Sequence, residues 1–353
     1  MNHNGRYGPW LAEAPGALTS GVALRLFCVP PVGMGGAAFH PWVKHLPRSV
    51  ELLSVELPGR GFRLSEAMTA KSLPQLARDV LDGIGRETFV DLPFVLFGHS
   101  FGAWLAYEML QELLRRAWPR PLKLYVSANR AVSLSGSEHD PDQVQPELAQ
   151  LGADRFWQHF ERRYGINPDL QHSYVRDHVR GILQNDFTLL ENYIPSTLEQ
   201  LPVPLCALCA KGDARCRPEQ LTAWNQVAGD SFQERWFQDV MKPEFWATEH
   251  RYVFDNPSSL LCFLSNDLPL VCEEVPGDTG LPGPLVTEPE LQELRCSGAS
   301  GAGRRGSTVD SLQGSRCGEW CQARCFDRLV STGNFLAHPP KAGQGLLFGN
   351  LVP

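Results

Sequence analysis

Short apolar and β-branched runs recur at Leu24–Val29, Val50–Val55, Phe94–Phe97, Leu122–Val126, Leu205–Ala210 and Phe232–Phe237. Most are separated by segments with a helical period. Leu73, Leu76, Val80, Leu81 and Ile84 share one helix face, and Trp104, Leu105, Met109 and Leu113 share another. Strands alternating with helices predict an α/β protein with a mostly parallel central sheet flanked by helices. The alternation breaks between residues 131 and 195, a long helical stretch holding Phe156, Trp157, Phe160, Tyr164, Tyr174, Phe187 and Tyr193. It reads as a helical lid insertion. From 273 onward the pattern dissolves into Gly, Pro, Ser and Arg, which predicts a disordered tail over 273–353. With an N-terminal extension at 1–20, the folded domain is expected over 21–272.

Composition narrows the function. Of 353 residues, 43% are apolar and 20% charged, as in a water-soluble globular protein. A net charge of −7 without a basic face argues against nucleic-acid binding, which needs clustered Lys and Arg at the phosphates. The first thirty residues lack the charged start and apolar centre of a signal peptide. No uncharged apolar run reaches the roughly 18 residues that span a bilayer, so a cytoplasmic protein is expected. The ten cysteines are then read as thiols. Cys317, Cys321 and Cys325 recur every fourth residue near His338, but this is not a common zinc spacing and no metal is expected.

Gly98-His99-Ser100-Phe101-Gly102 matches G-x-S-x-G, with the strand-like Pro93–Phe97 before it and a helical run from Gly102 to Leu114 after it. That context is a nucleophile elbow: a strand turns sharply into a helix and presents the serine hydroxyl. Free amides at the helix start favour developing negative charge, so Phe101 N–H is the first oxyanion donor to expect. The second should come from the glycine-rich loop after the first core strand, Pro30-Pro31-Val32-Gly33-Met34-Gly35-Gly36, with Val32 N–H as the candidate. This loop lacks G-x-G-x-x-G and a following Lys-Ser or Lys-Thr, so nucleotide binding is not indicated.

A serine hydroxyl needs a base to take its proton, and histidine is suited to that. After such an elbow the chain order is serine, acid, histidine. His139, His159, His172 and His178 precede any strand able to supply the acid, and His338 lies in the tail, which leaves His250. Asp213, in the loop leaving Leu205–Ala210, is suited to orient the imidazole. Asp230 and Asp239 compete for that role. The aromatics of the insertion lie between the nucleophile and its partners in sequence. Phe156, Phe160, Phe187 and Tyr193, with Met34, are candidate acyl-binding residues; any one ring alone reads more readily as glue between helices and sheet, and it is their concentration here that points to an acyl-binding wall.

These motifs resemble the type II thioesterases that serve nonribosomal peptide and polyketide synthases, and their relatives that release medium-chain acids from fatty acid synthase. The similarity spans about Pro9 to Leu264. It rests on Leu26-Phe27-Cys28-Val29-Pro30-Pro31 with its glycine loop and Pro41-Trp42, on Leu57-Pro58-Gly59-Arg60-Gly61, and on the elbow. Asn185-Asp186-Phe187 with Glu191-Asn192-Tyr193, and Asp213 followed by Trp224, complete it. The resemblance implies an α/β-hydrolase fold with a mobile lid and a triad at Ser100, Asp213 and His250. It also implies hydrolysis of acyl groups from the phosphopantetheine arm of acyl or peptidyl carrier proteins through an acyl-serine, with no cofactor. A monomer is expected. In two places the chain departs from the family: Gln238 to Glu249 intervenes before Glu249-His250-Arg251-Tyr252 where a Gly-His-Phe-Phe-type sequence usually follows a strand, and Met34 stands where glycine is usual. The rival readings are a carboxylesterase or lipase-like hydrolase with the same triad, and an inactive hydrolase fold used as a binding module. Arg115, Arg116, Arg120 and Lys123 form a candidate docking patch for an acidic carrier, or simply a solvated helix end.

Overall fold

The computed structural model describes residues 6–14, 21–144, 147–170, 172–229, 231–238 and 244–269. Seven strands form one sheet: β1 (Leu11–Glu13), β2 (Leu24–Val29), β3 (Val50–Val55), β4 (Phe94–His99), β5 (Leu124–Ser127), β6 (Leu205–Ala210) and β7 (Phe232–Phe237). Their spatial order is β1-β3-β2-β4-β5-β6-β7. All neighbours are parallel except β1, which runs antiparallel to β3 with Leu11 opposite Val55. Strands β2 to β6 are buried along their whole length, as expected of parallel strands covered on both faces. Edge strand β7 alternates instead, with Gln233 and Arg235 exposed. The six expected strands are present, and β1 is a seventh, lying in the segment read as an extension.

The helices are α1 (Leu73–Ile84), α2 (Glu87–Val90), α3 (Phe101–Arg115), α4 (Ala153–Tyr164), α5 (Ser173–Glu191), α6 (Pro218–Thr222), α7 (Tyr252–Asp255) and α8 (Ser258–Asp267). Helix α1 begins where the Ser72 hydroxyl accepts the Gln75 N–H at 3.3 Å, and it buries Leu73, Leu76, Ala77, Val80, Leu81 and Ile84. Helix α3 packs against α1 and leaves from the end of β4, the middle strand of the sheet. In the region read as a lid, α4 and α5 are joined through one short 3-10 turn, Pro168–Leu170. These helices build a second apolar cluster around Leu148, Phe156, Trp157, Leu183 and Phe187. Val32 packs against both this cluster and the sheet core. No helix among the described residues is long and apolar enough to cross a membrane. The tail from 273, with Cys317, Cys321, Cys325 and His338, lies outside the described residues.

Candidate active site

Ser100 caps the N-terminus of α3 with φ 55° and ψ −123°, a backbone conformation costly for any side chain but glycine. The surroundings enforce it. The Ser100 N–H donates to the Ser127 carbonyl at 2.7 Å, and Asn129 Nδ2 donates to the Ser100 carbonyl at 2.9 Å. The Asn129 carbonyl in turn accepts from Trp224 Nε1 at 2.9 Å. The flanking glycines answer a steric demand: a Cβ on Gly98 would stand 2.0 Å from the Gly102 carbonyl oxygen, and one on Gly102 would stand 2.1 Å from that of Val29. Phe101 is the first residue of α3, so its N–H has no partner within the helix.

Asp213 follows β6 with its carboxylate fully buried. Oδ1 accepts the Arg215 N–H at 2.8 Å, and Oδ2 lies 2.8 Å from His250 Nδ1. A carboxylate there keeps the ring proton on Nδ1 and leaves Nε2 to accept. Nε2 is 2.9 Å from Ser100 Oγ. The irregular segment before His250 helps deliver it. Ile166 N–H donates to the Phe245 carbonyl and Ala247 N–H to that of Tyr164, tying the segment to the end of α4. Thr248 Oγ1 then accepts the Ala214 N–H at 2.8 Å, beside Asp213. The competing acids Asp230 and Asp239 lie outside the described residues.

The loop after β2 starts against the elbow, where the Pro30 carbonyl oxygen would stand 2.8 Å from a Cβ on Gly102. Val32 N–H donates to no described residue. Met34 N–H closes a turn onto the Pro31 carbonyl at 3.2 Å, with Gly33 at φ 76°. Gly33 N–H donates to Asp186 Oδ2 at 2.8 Å and Gly36 N–H to Glu56 Oε2 at 3.2 Å. The Met34 sulfur accepts from Arg251 Nη1 at 3.4 Å, and the Arg251 guanidinium sits 4.5 Å over the Trp246 ring. Below the triad, His99 Nδ1 is 2.9 Å from Ser127 Oγ, which is 2.7 Å from the Tyr252 hydroxyl. Burial, then the neighbouring His250, hold the His99 ring well below the usual histidine range, so it is neutral.

Of the candidate acyl-binding residues, Phe156, Phe160 and Phe187 come together, with Phe160 centroids 6.0 and 6.3 Å from the other two. Phe156 and Phe187 are fully buried, while Phe160 is partly open. Tyr193 is not with them. It packs on Trp104 of α3 at 4.8 Å and donates its hydroxyl to Glu108 at 2.7 Å, as part of the sheet core. Tyr164, passed over as a ligand residue, stands 5.8 Å from the His250 ring. Arg215 and Asp140 were also missed: the guanidinium bonds both Asp140 oxygens at 2.7 and 2.8 Å, linking the acid loop to the 131–195 region. No local pattern marks such partners. Three of the four proposed docking cations are engaged elsewhere. Arg115 and Arg116 pair with Glu112, Arg116 also with Asp82, and Lys123 with Asp267, while Arg120 is exposed. Arg115 also lies at the far end of α3, about 22 Å along the helix from Ser100.

Comparison with protein families matches the Thioesterase domain over residues 24–257. The gramicidin S biosynthesis protein GrsT of Aneurinibacillus migulanus is 26% identical over 264 residues, covering 74% of this chain and 94% of that protein. Thioesterase PikA5 of Streptomyces venezuelae is 30% identical over 226 residues, covering 64% of this chain and 76% of that one. Among solved structures, RedJ, a thioesterase from the prodiginine biosynthetic pathway in Streptomyces coelicolor, superposes with a TM-score of 0.59 at 30% identity, covering 70% of this chain and 87% of that one. With the family model matching well over half of its residues and a mostly parallel sheet carrying a strained serine at the elbow, the chain belongs to the thioesterase family and is a thioester hydrolase of the α/β-hydrolase fold.

Proposed function

We propose that this chain hydrolyses acyl groups from the phosphopantetheine arm of acyl or peptidyl carrier proteins, with Ser100 as nucleophile, His250 as general base and Asp213 as its orienting acid. The observation that carries the reading is the unbroken chain Ser100 Oγ to His250 Nε2 at 2.9 Å and His250 Nδ1 to Asp213 Oδ2 at 2.8 Å. Ser100 Oγ attacks the thioester carbonyl carbon while its proton passes to Nε2. The tetrahedral oxyanion is held by the N–H groups of Phe101 and Val32. Collapse breaks the carbon–sulfur bond, and His250 returns the proton to the leaving thiolate. Water then attacks the acyl-serine by the same route and releases the free acid. The carrier-protein substrate is supported by relatives named for gramicidin S and prodiginine biosynthesis. We read α4, α5 and their connecting turn as a lid, with Phe160 and Tyr164 on the acyl side and Phe156 and Phe187 as its core.

The test compares kcat/KM for carrier-bound acyl thioesters with that for aryl esters of equal chain length, using Ser100→Ala as control. Thioesters should be the faster substrates. Equal or inverted rates would replace this reading with a carboxylesterase. A folded protein whose Ser100 takes no fluorophosphonate label would be an inactive binding module.

A further inference from the structure

A group of buried charges outside the triad touches the loop that carries Val32. Asp186, on α5, accepts Gly33 N–H at 2.8 Å and also receives both terminal nitrogens of Arg60 at 2.7 Å each. The two side chains are 0% and 2% exposed. Val32 and Gly33 are the central residues of the turn closed by Met34 N–H on the Pro31 carbonyl, and φ 76° at Gly33 is the value a type II turn requires. The middle peptide of such a turn has two orientations related by a flip. A carboxylate accepts its N–H but repels its carbonyl oxygen, so a buried Asp186 selects one of them and thereby anchors the turn whose first peptide, Pro31–Val32, holds the Val32 N–H. Arg60 aims the Asp186 carboxylate by a two-pronged bond. The charges are therefore arranged around one backbone amide rather than merely around each other.

We propose that Asp186 is a positioning residue for the oxyanion hole, fixing through the Gly33 N–H the turn that carries the Val32 amide, with Arg60 holding its carboxylate in place. The inference rests on the reading that Val32 N–H serves the oxyanion. It assigns to the Pro58–Gly61 and Asn185–Phe187 segments a task beyond packing: the oxyanion loop takes its shape from a helix of the 131–195 region.

The decisive variant is Arg60→Met with Asp186→Leu, which removes both charges together and leaves no unpaired ion in the core. It should melt within about 5 °C of the parent, because neutral replacement of a buried pair is often tolerated. Its kcat on an acyl thioester should nevertheless fall about 10- to 100-fold, as for a misplaced oxyanion donor. KM should stay within about threefold, since the interaction acts in the transition state. Fluorophosphonate labelling of Ser100 should slow with kcat, because the phosphonyl oxygen uses the same donors. Asp186→Asn with Arg60→Gln, which restores an acceptor without charge, should recover most of the lost rate. A folded Met/Leu variant with the parent kcat overturns the proposal. Should that variant not fold, hydrogen exchange at the Gly33 amide in the parent protein decides: protection supports the latch, and exchange at the rate of an exposed loop overturns it. Turnover surviving in Ser100→Ala would instead sink the proposed reaction, whatever happens at Asp186.

Discussion

Arg60 and Asp186 stand 126 residues apart and meet out of solvent through two parallel hydrogen bonds of 2.7 Å. Removing one partner leaves the other charge buried without compensation, which costs about 3–5 kcal/mol. Arg60→Ala and Asp186→Ala should each lose stability on that scale, and the double variant should lose much less than the sum. Urea unfolding of the four proteins in the cycle measures this. Strict additivity would mean that the pair is not coupled.

The triad predicts a graded loss. Ser100→Ala should abolish fluorophosphonate labelling and lower kcat by at least about 10⁴-fold, while Asp213→Asn, which leaves His250 Nδ1 without its acceptor, should cost about 10³- to 10⁴-fold. Both should fold, since the Ser100 and Asp213 loops are also held by backbone bonds such as Ser100 N–H to the Ser127 carbonyl. Single-turnover acylation rates check the order of the two.

Glu56 and Glu191 should each withdraw stability as pH rises through the weakly acidic range, opposite in sign to the buried neutral His99, which favours the fold as pH rises through the histidine range. Burial pushes the Glu56 carboxyl from 4.5 up to about 7, against the pull of Arg60, and burial does the same to Glu191. Between those values the folded chain holds a proton that the unfolded chain has released. Each group therefore costs up to about 3 kcal/mol of stability once the pH passes 7, and nothing below 4.5. Glu56→Gln should remove the Glu56 share of this pH dependence and stabilise the protein at pH 8 relative to the parent. Unfolding free energies at pH 5 and 8 test it; an unchanged slope in the variant would contradict the assignment.

Two aromatics of the helical region should behave oppositely. Tyr193→Phe removes the bond to Glu108, whose Oε1 still accepts the Ser196 N–H at 3.0 Å, so it should cost about 1 kcal/mol in stability and leave the acyl-chain profile intact. Phe160→Ala should raise KM for longer acyl chains by about tenfold, because each methylene it meets contributes roughly 0.8 kcal/mol. Steady-state kinetics across a chain-length series separates the two. A Tyr193→Phe protein with an altered profile would return that ring to the acyl site.

The sheet was legible because its inner strands are continuous apolar runs, whereas β1 was not. Leu11-Ala12-Glu13 is too short to signal a strand, and its place is set by pairing with β3. The elbow was legible because its glycines answer local crowding. His250 emerged by elimination, while the device that seats it, Thr248 against Ala214 and Phe245 against Ile166, depends on chain segments distant in sequence. Tyr193 shows the limit of aromatic content as a guide: a ring in a helical insertion faces either the ligand or the sheet, and only packing decides. Arg60 and Asp186 each lay in a recognised motif, yet nothing local announces that one is bonded to the other.

The left-handed backbone at Ser100 has a consequence for how this molecule tolerates change. The conformation is worth about 1–3 kcal/mol less to a residue with a side chain than to glycine. Ser100→Gly should therefore yield a hardier but inert protein. Selection for thermal robustness alone would drift toward erasing the reaction, and the residue at this position survives only where turnover itself is under selection.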